Sequence, residues 1–167
     1  MDSFKEEIIR LIPQLRRYAF ALVNHADFAD DLVQDSLERA LSRQHLWDPS
    51  RPMKPWLLTL LHNLHANKAR QFNQSPALVS ISDMGDIPDF QHSAEMPVSD
   101  LQKALDHLST EHREIILLVG LEQMSYKETA TILSIPIGTV MSRLLRARKN
   151  LKHILDGHSQ ATSQRSE

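Results

Sequence analysis

The sequence predicts an all-α protein made of two small helical domains joined by a flexible linker. Apolar residues recur at three- and four-residue spacing through most of the chain, and only 4 of 167 residues are Gly. Ser followed three residues later by Glu or Gln stands before several of these stripes, the pattern of a helix capping box. Between residues 72 and 97 the periodicity stops. That stretch holds Pro76, Pro88, Pro97, Asp83, Asp86, Asp89 and Glu95 and no Lys or Arg, so it reads as an extended acidic linker unable to bury a core. The expected divisions are a helical unit at 1–72, a linker at 73–97, a second helical unit at 98–155 and a disordered tail at 156–167.

Ser3 and Glu6 form the first capping pair, and Phe4, Ile8, Leu11, Ile12, Leu15, Ala19 and Leu22 mark a helix to about residue 23. Pro13 lies inside it and is expected to kink or divide it. Residues 24–27 read as a turn. A second helix over 28–43 turns Leu32, Val33, Leu37, Ala40 and Leu41 inward and leaves Asp31, Gln34, Asp35 and Glu38 as an acidic, amide-bearing stripe outside. Like charges four apart repel, so the stripe is either tolerated or kept for a basic partner. Residues 45–55, with three prolines and with Trp47 and Trp56 at the edges, read as a loop. A third helix over 55–71 buries Leu57, Leu60, Leu61 and Leu64, while Asn63, Asn67 and Arg70 line another face. An amide offers both a donor and an acceptor to a base edge, although two exposed Asn taken alone fit a solvated surface better.

Beyond the linker, Ser99 and Gln102 cap a short helix carrying Leu101, Ala104, Leu105 and Leu108. A break at Ser109-Thr110 precedes a helix over 111–121 with Ile115, Ile116, Leu118 and Val119 as core. Ser125 and Glu128 then cap a helix over 126–133, and Pro136 suits the first turn of another, running to about residue 151. On that last helix Val140, Leu144, Ala147 and Leu151 share one face. Ser142, Arg143, Arg146 and Lys149 face away from it, and residues 137–153 contain no Asp or Glu. A short capped helix, a tight turn and a longer basic helix make a helix-turn-helix, whose second helix can enter the major groove.

A net charge of −2 excludes coating of DNA by bulk electrostatics, so any contact must come from local patches. With no Cys there is no disulfide framework and no thiolate metal site. The N-terminal residues do not resemble a secretory signal and no apolar run is long enough to span a bilayer, so a cytoplasmic protein is expected. His62 and His65 lack the spacing of a zinc-protease helix, and no Gly-rich phosphate loop or nucleophile elbow is present. Neither metal, cofactor nor catalysis is expected.

Three stretches in this order resemble one family: Asp30-Asp31-Leu32-Val33-Gln34-Asp35-Ser36-Leu37-Glu38-Arg39-Ala40, Trp56-Leu57-Leu58-Thr59-Leu60-Leu61-His62-Asn63-Leu64, and Ser125-Tyr126-Lys127-Glu128 with Ile137-Gly138-Thr139-Val140-Met141-Ser142-Arg143-Leu144-Leu145-Arg146-Ala147-Arg148-Lys149. Together they look like the extracytoplasmic-function (ECF) sigma factors of bacterial RNA polymerase, over nearly the whole chain. The resemblance implies a region 2 bundle and a region 4 helix-turn-helix domain. It assigns Asp31, Gln34, Asp35 and Glu38 to a coiled coil on the polymerase β′ subunit, with β as a further core contact. Trp56, Asn63, Asn67 and Arg70 fall where the family reads the single-stranded -10 element, with the loop from 47 to 55 as the pocket for an everted base. Thr139, Ser142, Arg143, Leu145, Arg146 and Lys149 fall on the helix that meets the -35 duplex. An anti-sigma factor is the implied controlling partner. Residues 15–18 with His45-Leu46-Trp47 resemble the general-stress members.

Some positions depart from the family. Ser134 stands where Gly is usual in the turn, so the turn is expected to avoid a left-handed conformation or be strained. Met141 replaces a usual Lys or Arg, and Leu145 can touch a thymine methyl. Two rival readings are a regulator that uses only the helix-turn-helix and a sigma-like decoy that sequesters an anti-sigma factor. With so flexible a linker, a closed arrangement of the two units that hides both DNA-binding faces is also open.

Overall fold

The structure is a computed structural model that describes residues 2–74 and 96–163. Among the described residues all regular structure is helical, in the order α1 (Ser3–Val23), α2 (Ala26–Ser42), a 3₁₀ turn (Gln44–Leu46), α3 (Met53–Gln74), α4 (Met96–Asp106), α5 (Thr110–Ile116), a π turn (Leu117–Leu121), α6 (Tyr126–Leu133) and α7 (Ile137–Ser163). The all-α class is as the sequence predicts. Most of the acidic linker lies outside the described residues.

Each helix end has a local cause. Asp2, not Ser3, caps α1, its carboxylate accepting from the Phe4 N–H at 3.2 Å. Pro13 sits within α1 without dividing it. Asn24 stops α1 in the left-handed conformation at φ 47°, which a short amide side chain tolerates. His25 then caps α2 through Nδ1, so the expected four-residue turn shrinks to two and α2 starts earlier than residue 28. The third helix also starts early, at Met53, which puts Pro55 in its first turn, where a missing N–H costs nothing. Likewise α4 starts at Met96, so Ser99 lies inside it rather than capping it.

Phe4, Ile8, Leu11, Leu15, Tyr18 and Leu22 of α1 bury with Leu32 and Val33 of α2 and Leu57, Leu58 and Leu61 of α3. Leu41 was expected inside but is 48% exposed, because the buried line of α2 ends at Ala40. In the second unit α5 and α6 pack on α7. There the helix expected over 111–121 ends in a π turn: the Glu122 and Met124 N–H groups reach back to the Leu117 and Leu118 carbonyls, both at 2.9 Å. The last helix outruns residue 151 and continues to Ser163, since Leu151 and Ile154 prolong its apolar line.

The two units are packed together. Helix α3 lies against α6, and α1 lies against α5 and the π turn, so one continuous apolar cluster runs through both.

Candidate nucleic-acid interface

Three stripes singled out in the sequence all lie on the outside of this closed body. On α2, Asp31, Gln34 and Glu38 are exposed and Asp35 is half-buried. Gln34 donates to Glu38 at 3.4 Å, and Lys68 of α3 stands 2.8 Å from Asp35, so the Asp35 charge within the stripe is partly neutralised by the protein itself. Asp35, Glu38, Arg39, Ser42 and Leu64 border a shallow hollow there.

On α3, Asn63, Asn67 and Arg70 are exposed and follow one another along the helix. Trp56, two turns before Asn63, is half-buried edge-on to Phe4 with ring centroids 6.1 Å apart. Trp47 meets the same Phe4 at 5.4 Å. The loop expected as a base pocket therefore has its first Trp turned inward onto α1. The next residues are fixed locally: both the N–H and the hydroxyl of Ser50 donate to Asp48, which lowers the Asp48 carboxyl pKa, with Arg51 adding to the effect.

The helix-turn-helix is built as its residues suggest. Ser125 accepts from the Glu128 N–H at 3.0 Å and Glu128 accepts from the Ser125 N–H at 3.1 Å, a complete capping box. Ser134 closes α6 in the left-handed conformation, φ 55° and ψ 46°, so the strained alternative is the one adopted. Its neighbour Ile135 donates to the Ala130 carbonyl at 3.0 Å, tying the turn back onto α6. Val140, Leu144 and Ala147 are buried beneath α7. Ser142, Leu145, Arg146 and Lys149 are exposed and Thr139 is half-buried. Arg143 departs from the expected outward face: its side chain is only 20% exposed and leans toward Glu111 of α5 at 3.9 Å.

A family model described as Sigma-70, region 4, matches residues 99–151, and one described as the Sigma2 domain of PhyR matches residues 8–62. The ECF RNA polymerase sigma factor EcfG of Rhodopseudomonas palustris is 34% identical over 161 residues, covering 92% of this chain and 86% of that protein. The chain belongs to the ECF sigma factors. Among solved structures, the sigma factor RpoE in complex with the anti-sigma factor NepR, from Bartonella quintana, is 34% identical with a TM-score of 0.80, covering 93% of this chain and 98% of that one. CnrH, in complex with the cytosolic domain of CnrY, is 27% identical with a TM-score of 0.67, covering 92% and 88%.

What sequence reasoning missed in this sigma factor is the seam between its units. Two carboxylates of the second unit are buried there, Glu114 at 6% and Glu122 at 2% exposure. Glu122 faces Lys54 of α3 at 2.7 Å, close but out of line for a hydrogen bond, and accepts from Arg17 of α1 at 3.2 Å. Glu114 sits between two imidazoles of α3. His65 Nδ1 is 3.3 Å from one oxygen, while His62 Nδ1 is 2.9 Å from the other without good hydrogen-bond alignment. Burial alone would raise the Glu114 pKa, but the two imidazoles outweigh it and lower the pKa to about 2. Tyr18 lies fully buried beside them, its hydroxyl without a partner among the described residues and its pKa raised by burial, then by Glu114 and Glu122. Arg113 extends the seam by donating to the Leu22 carbonyl of α1 at 2.6 Å. Gln102 donates to the Ala21 carbonyl at 3.1 Å, and Asn24 bonds Asp106. Of the arrangements left open, the closed one seen here does not cover the α3 and α7 stripes: the seam uses Arg17, Lys54, His62 and His65, while Asn63, Asn67, Arg70, Ser142, Leu145, Arg146 and Lys149 stay exposed.

Proposed function

We propose that this ECF sigma factor binds core RNA polymerase through Asp31, Gln34, Asp35 and Glu38, with the β′ coiled coil as the basic partner of that stripe and β as a further contact. Trp56, Asn63, Asn67 and Arg70 face the single-stranded -10 element. Thr139, Ser142, Arg143, Leu145, Arg146 and Lys149 meet the -35 duplex, the cations holding phosphates and the hydroxyls and apolar side chain approaching base edges. Units 1–72 and 98–155 act as region 2 and region 4. The chain is not an enzyme; polymerase performs the chemistry. It works in the cytoplasm, at the nucleoid when active, and an anti-sigma factor restrains it, as the partner in the Bartonella complex suggests. The observation that carries this reading is that the three stripes stand together on one chain of this family with Asp31, Gln34, Glu38, Asn63, Asn67, Arg70, Ser142, Leu145, Arg146 and Lys149 exposed.

The test is transcription with purified core polymerase on a genomic fragment library. Wild type should give specific transcripts. Asp31→Ala/Gln34→Ala should lose them together with polymerase binding, and Arg143→Ala/Arg146→Ala should lose them with polymerase binding kept. The match of residues 8–62 to the Sigma2 domain of PhyR favours one second reading, a sigma-like decoy. Failure to associate with core polymerase under any condition would sink the sigma reading and leave the decoy, or, if duplex DNA is still bound, a regulator.

A further inference from the structure

The solvent side of α7 carries a feature that cations and hydroxyls do not account for. Ile137, Met141 and Leu145 are 47%, 51% and 57% exposed. They stand at i, i+4 and i+8 and therefore form one line along the helix. Only five large apolar side chains of the second unit are this conspicuously exposed among the described residues, the others being Leu101 and Tyr126. Three of the five thus fall in a row on one helix, beside the exposed Ser142, Arg146 and Lys149.

An exposed apolar line is otherwise a liability, so its occupant matters. Residues 137–153 carry Arg143, Arg146, Arg148, Lys149 and Lys152 without one acidic residue, which sets the row in a positive field suited to a polyanion. Within the major groove of duplex DNA the base-pair edges offer one apolar group, the C5-methyl of thymine. The row occupies the first nine residues of α7, the end of a recognition helix that reaches base edges. From Ile137 to Leu145 the helix rises eight steps, about 12 Å, or about four base pairs.

We propose that Ile137, Met141 and Leu145 read thymine methyl groups in the -35 element, so that apolar contact selects the position of A·T pairs that the flanking cations do not distinguish. The inference rests on the reading of α7 as the helix that meets the -35 duplex, and goes beyond it by naming the chemical group read. It predicts thymines, on either strand, within a window of about four base pairs opposite the row.

The test uses holoenzyme assembled from the full chain and core polymerase, on a promoter found by the transcription experiment. Thymines of the -35 element are replaced singly and together by deoxyuridine, which removes only the methyl group. Wild-type holoenzyme should lose about fourfold in promoter affinity for each methyl read, the value of one buried methyl-sized group. Met141→Ala and Leu145→Ala should bind thymine and deoxyuridine promoters equally at the positions each serves, with unchanged thermal unfolding because both side chains are exposed. Specific initiation with no deoxyuridine effect overturns the proposal while the sigma function stands. The proposal also falls if the variants keep the wild-type deoxyuridine effect, or if the -35 element has no A·T pair in the window. Absence of promoter-directed initiation overturns both readings. A self-association abolished by Met141→Ala/Leu145→Ala, with no methyl effect, assigns the row to a protein partner instead.

Discussion

Replacing Glu114 by Gln keeps the shape of the side chain and removes its charge from the seam. In the closed protein the Glu114 carboxyl has a pKa of about 2, against 4.5 for an unperturbed one. The imidazoles responsible belong to the other unit, so the shift arises only when the units dock. A difference of about 2.5 units corresponds to about 3 kcal/mol, or a factor of about 300 in the ratio of closed to open protein. Because the closed-state pKa is depressed, this stabilisation is lost as the pH falls from about 4.5 toward 2. Its Coulombic part is present only while the imidazoles are protonated, leaving their hydrogen bonding to the carboxylate when they are not. The chain has no Cys, so Arg51→Cys and Arg148→Cys, both at exposed positions, allow a dye pair to report the separation of the units. Wild type should show high energy transfer at neutral pH and lose it in acid before the far-ultraviolet helix signal falls. The Glu114→Gln protein should be shifted toward the open form at pH 7 and lack that acid step. If it matches wild type in both transfer and acid response, Glu114 does not hold the seam.

Three further outcomes follow from local geometry. Ser134→Gly relieves a non-Gly residue at φ 55° and should raise stability by up to about 1 kcal/mol in thermal unfolding; no gain would mean that the extra backbone freedom of Gly cancels the relief. Ser125→Ala removes the hydroxyl of the capping box on α6 and should cost about 1 kcal/mol, read in the same experiment. Lys68→Ala breaks an ion pair whose partners are 47% and 44% exposed, so stability should change by less than about 1 kcal/mol. Freed of Lys68, Asp35 should bind core polymerase more tightly in competition assays, and weaker binding would argue against a role for that carboxylate.

The sequence is most informative where one element decides its own structure. The Ser125 and Glu128 pair, the break before Pro136 and the apolar line through Val140, Leu144 and Ala147 are all local, and the helix-turn-helix forms where they place it. Helix starts were less legible because several residues compete for one cap: Asp2 won over Ser3, and a His side chain does the work at the head of α2. The seam was the least legible, since its partners are far apart in the chain, 49 residues between His65 and Glu114 and 105 between Arg17 and Glu122. One local signal was available. Glu114, Leu118 and Glu122 stand at i, i+4 and i+8, so two carboxylates share a line with a core leucine, a placement that needs buried cationic partners.

The seam also bears on how the sigma factor engages polymerase. The -10 and -35 elements lie about 25 base pairs apart, roughly 85 Å of duplex, whereas a compact body of this size has a radius of gyration of about 15 Å. If α3 and α7 carry the -10 and -35 contacts as proposed, the closed form leaves both stripes exposed yet cannot place them on both elements of a linear duplex at once. Bridging therefore requires the units to separate, and whatever binds the separated form must supply the difference in affinity between the two states. If core polymerase is that ligand, weakening the seam with Glu114→Gln should tighten its apparent affinity toward the intrinsic value for the open form. Binding of the free chain to an isolated -35 duplex should stay unchanged, because α7 is already exposed in the closed form. The two measurements separate the effects. Tighter polymerase binding with unaltered duplex binding identifies the seam as the barrier to assembly, while equal polymerase affinity for both proteins would mean that polymerase takes the closed form and opening comes later.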